Sequence, residues 1–179
     1  MKKAIFLDRD GVINSSIVIE GKPYPPKKME DLNILPGVEL ALSMFKSEGY
    51  LCIIITNQPD VARGKVTFES VNELNQYLQK NLMIDEIYSC YHDDKDQCKC
   101  RKPKPGSILN ASNKHQIDLN NSYMIGDRWR DIEAGQNAGC KTVFIDYNYL
   151  EKRPVGQTYT VGSLLEAAQL ILGGKNEKN

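Results

Sequence analysis

Short apolar runs alternate along the chain with segments whose apolar residues recur every three or four positions. Five runs predict strands: Ala4–Leu7, Leu51–Ile55, Ile87–Cys90, Tyr123–Ile125 and Thr142–Ile145. Each is short and continuous, the pattern of strands covered on both faces of a parallel sheet. Between the first two, Val38, Ala41, Leu42 and Phe45 share one helical face behind Pro36-Gly37. Thr67 predicts an N-cap for a helix whose stripe is Phe68, Val71, Leu74, Leu78 and Leu82. A shorter helix is predicted from Gly106 to Lys114, and another after Asp131, stopped at Gly139 by a left-handed C-cap. Ser163 with Glu166 three residues on is a capping-box signature, and it opens a last helix through Leu164, Leu165, Ala168 and Leu172. Residues 1–173 are expected to form one domain, and the polar stretch 174–179 a flexible tail.

This alternation predicts the α/β class: a doubly wound, Rossmann-like parallel sheet of about five strands. Such sheets bind ligands outside the carboxyl ends of their strands, near the switch in strand order. Polar residues collect at those ends. Asp8 and Asp10 follow the first strand, Thr56-Asn57-Gln58 the second, Cys90 and His92 the third, and Gly126-Asp127-Arg128 the fourth. Two carboxylates delivered two residues apart by a buried strand repel each other and are costly to desolvate. A bound divalent cation relieves that cost, and chemistry on a phosphate uses it. Taken singly, Thr56 is an ordinary strand-ending residue, Lys102 a loop charge, and Asp127 with Asp131 a pair that favours a helix dipole. Gathered at one end of one sheet, they describe a site.

The chain has 179 residues, enough for a full hydrophobic core. Its 23 Lys and Arg balance 23 Asp and Glu, so no global field draws it to nucleic acid or to an anionic membrane. No apolar stretch spans a bilayer, and the run before Asp8 is too short for a signal peptide, so a cytoplasmic address is expected. A monomer is the expected state. Three of the five cysteines crowd between 90 and 100. Cys90, His92, Cys98 and Cys100 make a closed Cys3His set that suits structural zinc, in a loop too polar to hold its shape by burial. Cys52 and Cys140 read as core thiols, and His115 as an exposed helix-end residue.

In order along the chain, Asp8-x-Asp10, Thr56, Cys100-Arg101-Lys102-Pro103 and Gly126-Asp127-x-x-x-Asp131 resemble the four motifs of the haloacid dehalogenase superfamily of phosphatases. The resemblance implies that Asp8 is a nucleophile forming an aspartyl-phosphate, and that Asp10 is the general acid and base. It implies magnesium held by Asp8, Asp127 and the Asp10 carbonyl, with Asp131 acting behind that shell or through Lys102. Thr56 and Lys102 would hold phosphoryl oxygens.

The zinc loop, Asp8-Arg9-Asp10-Gly11 and Thr56-Asn57-Gln58 are most similar to the heptose-bisphosphate phosphatases, with histidinol-phosphate phosphatases next. Only about ten residues separate Asp10 from Gly21, too few for a cap domain, so the site is expected to be open. The implied substrate is a small phosphorylated sugar, D-glycero-D-manno-heptose 1,7-bisphosphate. It would lose its 7-phosphate on the way to nucleotide-activated heptose, with Asn57, Gln58, Arg63 and Arg101 lining the specificity wall. Pro59-Asp60 stand where those enzymes usually carry Ser-Gly, which removes an amide donor and adds a negative charge.

Two non-enzyme readings compete. A phospho-acceptor signalling domain has no need of Asp10 as an acid and leaves Arg101-Lys102 unexplained. A zinc-stabilised binding module would not retain every catalytic residue type.

Overall fold

The computed structural model describes residues 1–173, and the tail expected to be flexible lies outside them. In chain order the elements are β1 (Lys3–Leu7), β2 (Ile17–Ile19), β3 (Lys22–Tyr24), α1 (Val38–Ser47), β4 (Tyr50–Asn57), α2 (Phe68–Asn81) and β5 (Glu86–Cys90). There follow α3 (Gly106–His115), β6 (Tyr123–Gly126), α4 (Trp129–Ala138), β7 (Lys141–Ile145), β8 (Tyr159–Val161) and α5 (Leu164–Gly173). Six strands pair in the order β5-β4-β1-β6-β7-β8, all parallel.

Because successive strand residues point to opposite faces, the apolar runs divide between two cores. Ile5, Leu7, Cys52, Ile54, Ile125, Val143 and Ile145 pack against α1 and α5 through Ala41, Leu42, Phe45, Ala168 and Ile171. Ala4, Phe6, Ile53, Ile55 and Met124 pack on the other side against Ile108, Ala111, Ala134 and Ala138 of α3 and α4. Both faces of the central strands are thus covered, as their unbroken hydrophobicity requires. Cys52 and Cys140 are buried thiols.

The predicted five strands are six. β8 escaped notice because its three residues, Tyr-Thr-Val, are too few to show a period, yet it pairs with β7 from Val143–Tyr159 to Ile145–Val161. The β2–β3 hairpin was also unforeseen. Glu20 and Gly21 both take positive φ, 49° and 75°, the backbone of a two-residue type I′ turn. This ribbon is far smaller than a cap domain, but it walls one side of the cleft described below.

Three local expectations change. Helix α4 begins at Trp129, so Asp131 lies inside its first turn rather than before it. Phe68 is half exposed and packs on Tyr91 at 5.0 Å instead of joining the buried stripe. His115 does end α3, but it is half-buried and bonded to Glu86 instead of exposed. Thr67 does cap α2, accepting from Ser70 N at 3.1 Å, and Gly139 ends α4 with φ 87°. Among the described residues, no helix is long and apolar enough to cross a membrane.

Candidate active site

β1 lies at the switch in strand order, between β4 and β6, and its end presents Asp8 to the groove that opens there. β6 delivers Asp127 from the neighbouring strand end, and the first turn of α4 delivers Asp131. All three are buried, and each offers an oxygen within 4.8 Å of the others. One ammonium pairs with two of these carboxylates. Lys102 Nζ lies 2.8 Å from Asp8 Oδ1, 2.7 Å from Asp131 Oδ1 and 2.7 Å from the Ile55 carbonyl.

The Tyr149 hydroxyl lies beside Asp127, yet neither carboxylate oxygen makes a hydrogen bond of good geometry. Gly11, at φ 92°, lets the backbone pass so close that a Cβ there would sit 1.9 Å from Asp127 Oδ2. Burial, then repulsion from Asp131, pushes Asp8 up to about 7 against the opposing pull of Lys102. Asp127 is raised well above its ordinary value by burial and by Asp8. A buried, oxygen-only donor set with excess negative charge and a poorly satisfied carboxylate fits a hard divalent cation.

Asp10 is held differently. It accepts from Arg9 Nε at 3.1 Å, Asn14 Nδ2 at 3.0 Å and Gln58 Nε2 at 2.7 Å. Arg9 is fully buried and donates to Asn75 Oδ1 at 2.9 Å, and Asn75 Nδ2 in turn donates to Ser89 Oγ. Gln58 Nε2 also reaches Thr56 Oγ1 at 2.9 Å. Asn57 bonds both the N–H and the carbonyl of Lys102 at 3.1 Å, fixing the backbone from which the lysine enters.

The second cluster lies beyond β5. The sulfurs of Cys90, Cys98 and Cys100 are 3.2–3.7 Å apart, and His92 Nδ1 lies 3.3 Å from Cys100 Sγ and 3.6 Å from Cys90 Sγ. Ligands at about 2.0–2.3 Å around one tetrahedral zinc are separated by similar spacings. The thiols are unoxidised, and the donor chemistry fits the ion.

A family model described as HAD-hydrolase-like matches residues 99–167. The D-glycero-β-D-manno-heptose-1,7-bisphosphate 7-phosphatase of Helicobacter pylori is 44% identical over 145 residues, covering 78% of this chain and 80% of the relative. The corresponding α-anomer 7-phosphatase of Campylobacter jejuni is 38% identical over 148 residues, covering 80% and 81%. The chain belongs to the heptose-bisphosphate phosphatase family of haloacid dehalogenase-like hydrolases. The crystal structure of D,D-heptose 1,7-bisphosphate phosphatase from B. bronchiseptica, complexed with magnesium and phosphate, superposes with a TM-score of 0.82 at 27% identity. It covers 96% of this chain and 99% of that one.

In this member of the heptose-bisphosphate phosphatase family, Asp8, Asp10 and Lys102 line one cleft with Asn57, Arg128 and Arg130, against a wall of Pro23, Tyr24 and Pro25 from the hairpin. An adjoining cleft of ≈ 280 Å³ adds Arg63, Asp94 and Arg101. One of the four residues expected on the specificity wall is placed otherwise, and a second is already paired. Gln58 is buried behind the wall as the brace between Asp10 and Thr56. Arg63 lines the cleft, but its guanidinium is engaged by Asp93 at 2.6 Å and Asp60 at 3.4 Å.

Sequence reasoning missed Arg9, Asn75 and Arg130, and it placed Arg128 at a strand end without giving it a role. Asn75 had a signal, a polar residue interrupting the buried face Val71, Leu74 and Leu78 of α2. Arg9 had none, since a residue after a strand gives no hint of being the most deeply buried charge in the site.

Proposed function

We propose that the chain is a magnesium-dependent phosphomonoesterase that removes the 7-phosphate of D-glycero-D-manno-heptose 1,7-bisphosphate through an aspartyl-phosphate on Asp8. The observation carrying this is the buried ammonium of Lys102 between Asp8 and Asp131, beside the poorly satisfied Asp127. An Asp8 oxygen attacks phosphorus while the bond from phosphorus to the sugar oxygen breaks. Asp10 gives its proton to the departing alkoxide, then removes a proton from the water that cleaves the acyl phosphate and restores Asp8. Its fourfold clamp by Arg9, Asn14 and Gln58 aims one carboxylate for both steps. Lys102 and Thr56 hold the equatorial oxygens, and Asp131 positions Lys102. Magnesium on Asp8, Asp127 and the Asp10 carbonyl supplies the charge that neutralises the carboxylates and the phosphoryl group. Zinc on Cys90, His92, Cys98 and Cys100 fixes the loop that presents Arg101 and Lys102.

The test is phosphate release from both anomers of heptose 1,7-bisphosphate, from histidinol phosphate and from fructose 1,6-bisphosphate. A heptose bisphosphate is expected to lead by about tenfold or more in kcat/KM. Arg101→Ala is expected to harm the bisphosphate far more than heptose 7-phosphate. Preference for histidinol phosphate, or equal losses with both sugars, would overturn the substrate reading.

The metal reading predicts a pH effect of definite sign. Asp8, raised from 3.8 to about 7, favours the fold when protonated. Its contribution is complete below its unfolded value and disappears as pH rises through 7. The melting temperature of the metal-free chain should therefore fall between pH 5.5 and pH 8. Added magnesium must displace those protons, so it should raise the melting temperature more at pH 8 than at pH 5.5. Scanning calorimetry with and without magnesium reads both, and a magnesium effect that shrinks with rising pH contradicts the site.

A further inference from the structure

Of the four guanidiniums lining the adjoining cleft, two are fully engaged and two share a single carboxylate. Arg63 is engaged by Asp60 and Asp93, and Arg128 is held at two of its nitrogens by Glu151. Arg101 and Arg130 share one carboxylate, and both reach the same atom. Arg101 Nε lies 2.8 Å and Arg130 Nη1 3.3 Å from Asp94 Oδ1. The Asp94 side chain is 57% exposed, while those of Arg101 and Arg130 are 10% and 28% exposed. Two cations against one solvent-facing oxygen leave positive charge directed into the cleft. A phosphate, with more charge and three oxygens spread over a tetrahedron, serves two guanidinium forks better than one carboxylate oxygen does. Arg130 also lines the cleft that holds Asp8 and Asp10, and its guanidinium is steadied over the Trp129 ring at 4.7 Å.

We propose that Arg130 is a specificity-determining residue: with Arg101 it binds the phosphate that is not removed, and Asp94 occupies that anion position until substrate displaces it. The proposal deepens the bisphosphate reading and rests on it. Asp94 is thus an internal competitor, so the two side chains should have opposite effects when changed.

The experiment compares heptose 1,7-bisphosphate with heptose 7-phosphate in the magnesium- and zinc-loaded chain. Arg130→Ala is expected to raise KM for the bisphosphate by about tenfold or more and to leave the 7-phosphate within about twofold. Asp94→Asn is expected to lower KM for the bisphosphate alone, by about twofold to fivefold. A merely structural role for the trio predicts the reverse sign for Asp94→Asn. A second measurement does not depend on turnover. Mannose 1-phosphate is titrated calorimetrically with orthovanadate and magnesium filling the reacting position, and it should bind the unaltered chain more tightly than Arg130→Ala. If neither sugar is hydrolysed while this difference persists, the hydrolase reading fails and the anion site stands. Equal titrations, equal losses with both sugars, or weaker bisphosphate binding in Asp94→Asn overturn the proposal.

Discussion

Asp8→Asn should abolish phosphate release, lowering kcat by at least about 10⁴-fold, the scale seen when a covalent nucleophile is removed. The amide keeps the shape of the carboxylate but cannot form the acyl phosphate. The same change removes a carboxylate that burial, and then repulsion from Asp131 and Asp10, raises to about 7. Lys102 keeps its bond to Asp131 at 2.7 Å, so the metal-free variant should melt no lower than the unaltered chain. Lost activity with retained or increased stability separates a chemical role from a structural one. Asp10→Asn provides the contrast. With a poor leaving group it should lose about 10²–10⁴-fold, the usual worth of general acid–base catalysis. With p-nitrophenyl phosphate, whose leaving group needs no proton, the first step should recover and phosphorylated Asp8 should accumulate. Turnover by Asp8→Asn above one part in about 100 would remove the nucleophile from the mechanism.

What the sequence disclosed follows from which constraints are local. The central strands β1, β4, β6 and β7 are buried on both sides, so their composition alone marks them, and with them the strand ends that carry Asp8, Thr56 and Asp127. The caps at Thr67 and Gly139 are single-residue requirements of backbone geometry, and they were equally plain. The Cys and His spacing declared its cluster for the same reason.

The hairpin was legible in principle, since Ile17-Val18-Ile19 followed by Glu20-Gly21 has both β-branched residues and a turn. However, β2 is exposed throughout and β3 is three residues with Pro23 at its centre, so neither shows a strand period. The pairing of charges was not legible. That Arg63 is engaged by Asp93, Arg128 by Glu151, and Arg101 with Arg130 by Asp94 depends on contacts between residues 7 to 36 positions apart. Motif spacing placed Arg101 and Arg63 near the cleft without showing that Arg63 is held by two carboxylates while Arg101 shares one with Arg130.

Zinc removal should have the second large effect. The loop from Tyr91 to Lys99 contains Asp93, Asp94, Lys95, Asp96, Gln97 and Lys99, and it contributes nothing to either hydrophobic core. Its order rests on a short capped turn at Asp93, on the ion pairs of Asp93 with Arg63 and of Asp94 with Arg101, and on the four side chains of the Cys90 cluster. Lys102 is two residues beyond Cys100 and must reach Asp8 within 2.8 Å to act. Freed of the metal, three thiols and an imidazole no longer hold the backbone that aims it. The zinc content measured by plasma mass spectrometry should be one ion per chain, and Cys98→Ser should lower it. Chelation or Cys98→Ser is expected to reduce kcat/KM by about 10- to 100-fold, as for residues that orient a site from behind. Far-UV circular dichroism should change little, because the two cores flanking the sheet lie elsewhere. Zinc, and not magnesium, should restore activity after chelation, which distinguishes the two metal sites. Full activity in chain stripped of zinc would show that Lys102 is placed by Asn57 and its carboxylate partners alone.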